Sequence, residues 1–207
     1  MNVIVNADDL GMSLAVNDAI FAAHRRGLLR SATLLVHGPA FEDAVERLPQ
    51  HPDLGVGVHL DTTEFGRRAP SILGAWEEQV ARARAAGVNV SHVDSHQHQH
   101  LAWSNLASLR ELCRRTGVRS IRGRSLEHGV SARSRAWRAL AGTFATMATH
   151  FFSVEHYLAC GSPDRGGWTE LMVHPGNPRH ARYAGEMVAL EGLVAKRGWV
   201  LGRFWDL

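Results

Sequence analysis

A single α/β domain whose parallel strands close toward a barrel is the fold class predicted for this 207-residue chain, on three observations. Short runs rich in Val, Ile and Leu alternate with longer stretches of helical period, the pattern of parallel strands covered by helices. About seven such strands are legible, and neither a linker nor an internal repeat interrupts them, so residues 1–207 read as one domain with one core. Ionisable residues fall where four different strands run out. In a barrel those C-terminal ends meet at one mouth, whereas an open sheet gathers ligands at a switch point between two strands. The length falls short of the roughly 250 residues of a full barrel, which keeps a doubly wound sheet as the competing arrangement.

The elements follow in order. "NVIVNA" (2–7) reads as the first strand, and "SLAVNDAIFAAHRRG" (13–27) as a helix that Ser13 can cap, with Val16, Ile20 and Ala23 on one face and Gly27 as its stop. "SATLLVHG" is the second strand, "AFEDAVERL" a helix ended by "PQHPD", and "LGVGVHLD" the third strand. A loop containing "GRRAPS" leads to the helix "GAWEEQVARARAAG", which Gly87 terminates. "VSHVDSH" is the fourth strand, "LASLRELCRRTG" the next helix and "VRSIRG" the fifth strand. Between 125 and 168 one stripe stands out: Trp137, Leu140, Phe144, Met147 and Phe151, at steps of three and four, predict a helix around 132–149 with its apolar face in the core. "GWTELMVHPG" gives a late strand, "ARYAGEMVALEGLVAKRG" a helix and "WVLGRFWDL" a final strand.

Composition excludes several classes. Hydrophobic residues make up 45% and charged residues 21%, which supports an ordinary globular core and argues against disorder. The net charge of +3 is spread along the chain without a basic block, with Lys196 the only lysine, so no nucleic-acid partner is expected. No apolar run reaches the ~18 residues of a membrane span. "MNVIVNADDLG" shows neither a basic leader nor an apolar stretch of signal-peptide length, and Cys113 and Cys160 form no CxxC pair, which together lead us to expect a cytoplasmic protein. The 13 histidines are the unusual feature, and they direct attention to metal ligation and proton transfer.

Asp8 and Asp9 stand where "NADDLG" turns from strand to helix. Adjacent carboxylates with no basic neighbour repel each other, and a cation beside them removes that repulsion. An N-cap with an Asx-turn before Gly11 accounts for one Asp but poorly for two. His59 ends "GVGVH" and His174 ends "LMVH" before Pro and Gly force a turn. Each alone reads as a structural histidine; together they suggest a site. In "HVDSHQHQH" (92–100) the alternation would put His96 and His98 on one strand face as a chelating pair. The whole run would extend over roughly 26 Å at ~3.3 Å per residue, so at most two neighbours can share an ion. One carboxylate and two histidines make an Asp/His/His centre with open positions, and the remaining Asp and His suit a general base and a general acid.

Taken together, "VNADDLGMS", "SATLLVHGPAFEDAV", "GVGVHL", "HVDSHQHQH", "ELMVHPG" and "RGWVLGRFWDL" resemble the YdjC-like carbohydrate deacetylases over nearly the whole chain. The resemblance implies an irregular (β/α) barrel and a hydrolase that removes acetyl from an N-acetylated amino sugar or oligosaccharide. It implies that Asp9, His59 and His96 ligate one divalent metal ion, that Asp8 is the general base and that His174 is the acid protonating the leaving amine. Beside them, Asp94 is expected to steady an imidazole, His98 and His100 to line the substrate cleft, and Arg122 to orient Asp8 or a substrate oxygen. Magnesium and zinc are the leading metals for such a ligand set, with nickel or cobalt compatible. The sequence leaves a homodimer open. The stretches between His59 and His92 and from 125 to 168 are shorter than a chitooligosaccharide-active member leads one to expect, which makes the sugar subsites the least determined part. Trp76, Trp103, Trp137 and Trp168 are candidates for sugar stacking and, more often in such proteins, for the core.

Two other readings compete. A metal-dependent phosphoesterase would use Asp/His clusters at a barrel mouth, but generally with two metals ~3.5–4 Å apart. A non-catalytic sugar- or metal-binding protein would keep the ligands without the acid and base, both of which are intact here.

Overall fold

The structure, a computed structural model, describes residues 1–63, 71–125, 131–160, 166–179 and 181–207, the side chains of 181 and 182 excepted. In chain order the elements are β1 (Asn2–Leu10), α1 (Leu14–Arg25), β2 (Ser31–Leu34), α2 (Phe41–Arg47), β3 (Gly55–Leu60), α3 (Ile72–Ala85), β4 (Val90–Ser95), α4 (Leu106–Thr116), α5 (Ala132–Ala141), β5 (His150–Ser153), α6 (Val154–Cys160), β6 (Trp168–Val173), α7 (Glu186–Arg197) and β7 (Val200–Leu201). The "GRRAPS" loop lies outside the described residues up to Ser71, whose hydroxyl caps α3 by accepting from the Gly74 N–H.

Seven strands form one parallel sheet in the order β4-β3-β2-β1-β6-β5, and β7 pairs with the N-terminal end of β1. Beyond β4 the ring continues through two single bridges, Val93 to Ile121 and Ser120 to Thr146, toward β5. The arrangement is therefore an irregular (β/α) barrel with a thin seam, and the doubly wound alternative is set aside.

Alternation along the strands explains both layers. Val3, Val5 and Ala7 of β1, Ala32 and Leu34 of β2, Val56, Val58 and Leu60 of β3, and Leu171 and Val173 of β6 face the helices and form the main core. The intervening positions point inward, and they are mostly polar: Asn6 and Asp8, Ser31 and Thr33, His59, His92 and Asp94, and Glu170, all buried. Phe204 closes the bottom by stacking on His92 at 3.7 Å. Gly57 makes room for that pair, since a Cβ there would come within 2.6 Å of the His92 ring.

The helices carry the caps their sequences announce. Ser13 accepts from the Val16 N–H, and Val16, Ile20, Phe21 and Ala23 of α1 are buried. Gly117, at φ +70, ends α4 with its N–H on the Cys113 carbonyl.

Three expectations need correction. The predicted helix over 132–149 ends at Ala141, where Gly142 and Thr143, both poor helix formers, interrupt it. Thr146 then joins the seam and Phe151 lies on β5, while Leu140, assigned to the apolar stripe, is 50% exposed. "VRSIRG" contributes bridges at Ser120 and Ile121 rather than a full strand. "WVLGRFWDL" keeps strand pairing at Val200 and Leu201 alone and then winds into a 3-10 turn over Phe204–Asp206. Trp76 and Trp137 are fully buried, which makes them core rather than sugar platforms. Among the described residues no helix is long and apolar enough to cross a membrane.

Candidate active site and metal centre

The C-terminal strand ends surround a cavity of about 260 Å³ whose walls include Asp8, Asp9, His59, His96, His98 and His174. How β1 supplies two adjacent carboxylates is a matter of backbone. Consecutive strand residues point to opposite sides, but the β1–β2 register shifts between Ala7 and Leu10, and Asp9 adopts φ +70. Asp tolerates that left-handed conformation better than most residues, and it turns the second carboxylate toward the cavity beside the first. The turn is completed by the Met12 N–H on the Asp9 carbonyl.

Asp9 Oδ1 is buried and accepts no hydrogen bond, with His59 Nε2 at 3.4 Å and His96 Nδ1 at 3.6 Å. Ligand atoms of Asp9, His59 and His96 all lie within 4.8 Å of one another. An orphaned carboxylate oxygen facing two imidazole nitrogens is a donor set that fits a divalent cation. The other Asp9 oxygen is held by the Asn177 amide at 2.8 Å. Burial works against the Asp9 charge, yet His96, His59 and His174 outweigh it and lower its pKa. His59 is oriented from behind. Its Nδ1 lies 2.6 Å from Asp94 Oδ1, so the proton belongs there and Nε2 is left for the cavity. Burial alone would depress this imidazole, but Asp94 dominates, with help from Asp8 and Asp9, and raises it to about 9. Thr33 donates to the second Asp94 oxygen at 3.1 Å.

Asp8 is built into a different network. Arg122 meets it end-on, Nη2 to Oδ1 at 2.6 Å and Nη1 to Oδ2 at 2.7 Å, and Asn6 adds a third hydrogen bond at 2.9 Å. The same guanidinium lies 2.9 Å from Asp94 and donates Nε–H to Glu170 at 2.6 Å. Arg122 is fully buried. Its desolvation is outweighed by the surrounding carboxylates, which raise its pKa well above the usual value. His174 Nε2 stands 4.0 Å from Asp8 Oδ2 across the cavity. Glu186 accepts the His174 backbone N–H at 2.8 Å and lies 3.4 Å from Nδ1, while Tyr183 stacks on the ring at 3.9 Å.

The "HVDSHQHQH" run does not stay a strand. β4 ends at Ser95, and Gln97 and His98 take left-handed angles of φ +53 and +55, which breaks the alternation. His96 and His98 both reach the cavity from the resulting turn, and His98 Nδ1 is buried without a hydrogen-bond partner. Burial, with Arg122 adding to it, pushes His98 down to about 4. His100 differs from its expected place in the cleft: it is fully buried behind the wall, bonded to Ser95 Oγ and near the Arg122 carbonyl at 3.2 Å. Asp94 and Arg122 also sit behind the wall. Sequence reading missed Asn6, Thr33, Glu170, Asn177, Tyr183 and Glu186. For Glu170 a signal existed, an acid in the middle of the strand "WTELMV".

Fold and site together define an α/β barrel with a carboxylate–imidazole centre at its C-terminal strand ends. The chain belongs to the YdjC-like family, whose model matches residues 2–75 and 69–196. It is 30% identical to a carbohydrate deacetylase of Halalkalibacterium halodurans across 84% of this chain and 85% of that protein. A carbohydrate deacetylase of Brevibacillus brevis is 38% identical over 48% of this chain and 50% of its own length, so the matched chain spans about half of that relative. Among solved structures, an Enterococcus faecalis protein assigned provisionally to cellobiose-phosphate cleavage superposes with a TM-score of 0.78 at 20% identity, covering 99% of this chain and 98% of that one. A family 4 carbohydrate esterase from Streptomyces lividans gives 0.57 at 14% identity, over 97% and 91%.

Proposed function

We propose that the chain is a metal-dependent hydrolase that removes acetyl from an N-acetylated amino sugar or oligosaccharide, releasing acetate and the free amine. The observation that carries this reading is the pairing of two separate centres in one cavity: a cation-ready Asp9/His59/His96 cluster, and an Asp8 carboxylate fixed by Arg122 opposite His174. Relatives named as carbohydrate deacetylases support it. The chemistry a divalent ion supplies when held by Asp9, His59 and His96 is polarisation of the acetyl carbonyl and acidification of a water.

The remaining steps belong to this chain's own residues. Asp8, its two oxygens pinned by Arg122 and Asn6, takes the proton of the attacking water. His174 gives a proton to the nitrogen as the C–N bond breaks, with Glu186 and Tyr183 holding the ring so that Nε2 faces Asp8. Burial of the two carboxylates strengthens each of these electrostatic interactions. A phosphoesterase with two metals has less support. A second cluster, Asp8, His59 and Asp94, comes close enough to hold an ion, but Arg122 already supplies its positive charge.

Acetate release from diacetylchitobiose and N-acetylglucosamine, measured before and after chelation and again with zinc or magnesium restored, tests the reading. Release that stops on chelation and returns with the metal is expected. Phosphate release from sugar phosphates with no acetate from any N-acetyl sugar would overturn it.

A further inference from the structure

The barrel interior holds a carboxyl group to which the proposed reaction gives no part. Glu170 is completely buried on β6; its Oε1 accepts the Arg122 Nε–H at 2.6 Å, and its Oε2 is buried with no hydrogen-bond partner. The other two acids around Arg122 are held from several sides, Asp8 by Asn6 and Asp94 by His59 and Thr33. Among the described residues Arg122 is the hydrogen-bond partner of Glu170. A buried acid with an orphaned oxygen is unfavourable by itself, so its contact with Arg122 asks for an explanation.

Geometry provides one. A guanidinium is a rigid plane on a flexible stem, and its aim is fixed only when both the Nε edge and the terminal fork are anchored. Asp8 holds the fork from β1 and Glu170 holds the Nε edge from the adjacent strand β6, so two edges of the guanidinium plane are anchored independently. We infer that Glu170 is a positioning residue for the proposed base, aiming Arg122 at Asp8 through the reach of its acceptor oxygen rather than through its charge. This rests on the reading of Asp8 as base. An amide oxygen at the same reach would serve equally, because it too accepts an N–H. An acid one methylene shorter would draw the guanidinium back by ~1.5 Å, one carbon–carbon bond length, in a packed interior that cannot absorb the shift. Hydrogen bonds of 2.6 and 2.7 Å to Asp8 would then stretch beyond the useful range of about 3.2 Å.

Two variants separate reach from charge: Glu170→Asp keeps the charge and shortens the reach, and Glu170→Gln does the reverse. On diacetylchitobiose with zinc-loaded protein, Glu170→Asp should lose about 10- to 100-fold in kcat with little change in KM, the scale of an ångström misplacement. Glu170→Gln should recover to within about threefold of wild type, since its oxygen restores the bond. Nitrogen-15 NMR provides a readout independent of turnover: the Arg122 Nε–H should exchange slowly with solvent in wild type and Glu170→Gln and quickly in Glu170→Asp. Zinc affinity by calorimetry should be alike in all three, as Glu170 bonds to none of Asp9, His59 or His96. A kcat loss in Glu170→Gln, or wild-type kcat and slow exchange in Glu170→Asp, overturns the inference. Should wild type release no acetate at all, the deacetylase reading fails separately and the exchange rates still decide the role of Glu170.

Discussion

Asp8 and Arg122 meet end-on inside the barrel through hydrogen bonds of 2.6 and 2.7 Å, although 114 residues separate them in the chain. Replacing Arg122 with Met strips the shared cation from Asp8, Asp94 and Glu170 at once. Uncompensated buried charge of this kind typically destabilises by about 3–5 kcal/mol, so urea unfolding of Arg122→Met should shift accordingly. Lysine should recover only part of the loss, because a point charge cannot occupy the fork and the Nε edge together.

The two adjacent aspartates should separate cleanly by experiment. Asp9→Ala is expected to abolish zinc binding in calorimetry, because it removes the orphaned oxygen between His59 and His96. Asp8→Ala should bind zinc and lose turnover. Normal turnover in Asp8→Ala would refute its role as base.

Asn177 donates to Asp9 Oδ2 at 2.8 Å and so fixes which oxygen faces the imidazoles. Outer contacts of this type commonly contribute about 10- to 100-fold in metal affinity, and Asn177→Ala should weaken zinc binding by that factor in a competition titration. Binding at wild-type strength would show that Asp9 is oriented by its backbone alone.

His92 gives the acid stability of the fold a definite sign. Burial dominates its environment and pushes the imidazole down to about 3, from an ordinary value of 6.5. A lowered folded pKa means that the unfolded chain takes up the proton first, so stability is complete above pH 6.5 and declines as the pH falls toward 3. His92→Phe, which preserves the stack on Phe204, should flatten that limb by about 1.4 kcal/mol per pH unit, measured by urea unfolding at pH 4, 5 and 6. An unchanged slope would mean that His92 titrates normally in the folded protein.

Much of the site could be read from strand ends. Asp8 and Asp9 before a glycine turn, His59 after an apolar strand and His174 before Pro-Gly all mark places where a strand stops and a side chain is presented, and the barrel brings them to one cavity. His100 was harder, because its place depends on left-handed angles at Gln97 and His98 that composition does not encode. Asn177 reaches Asp9 across 168 residues of chain and Glu186 reaches His174 across 12, and single polar residues near a turn or helix start give no hint of such partners. The helix stops at Ala141 although the apolar spacing continues past Gly142, because Phe144 and Met147 reach the same core by a different backbone path. Periodicity reports which side chains are buried, and it does not report the chain conformation that buries them.

The thin seam gives Arg122 a second meaning. Between β4 and β5 the ring is joined by the bridges at Val93, Ser120, Ile121 and Thr146, and Arg122 follows directly on that stretch. Its ion pairs reach across to β1, β4 and β6, so the side chain works as a clasp over the weakest arc of the circumference. Opening the seam would therefore carry Arg122 away from Asp8, so the join of the barrel and the setting of that carboxylate share one side chain.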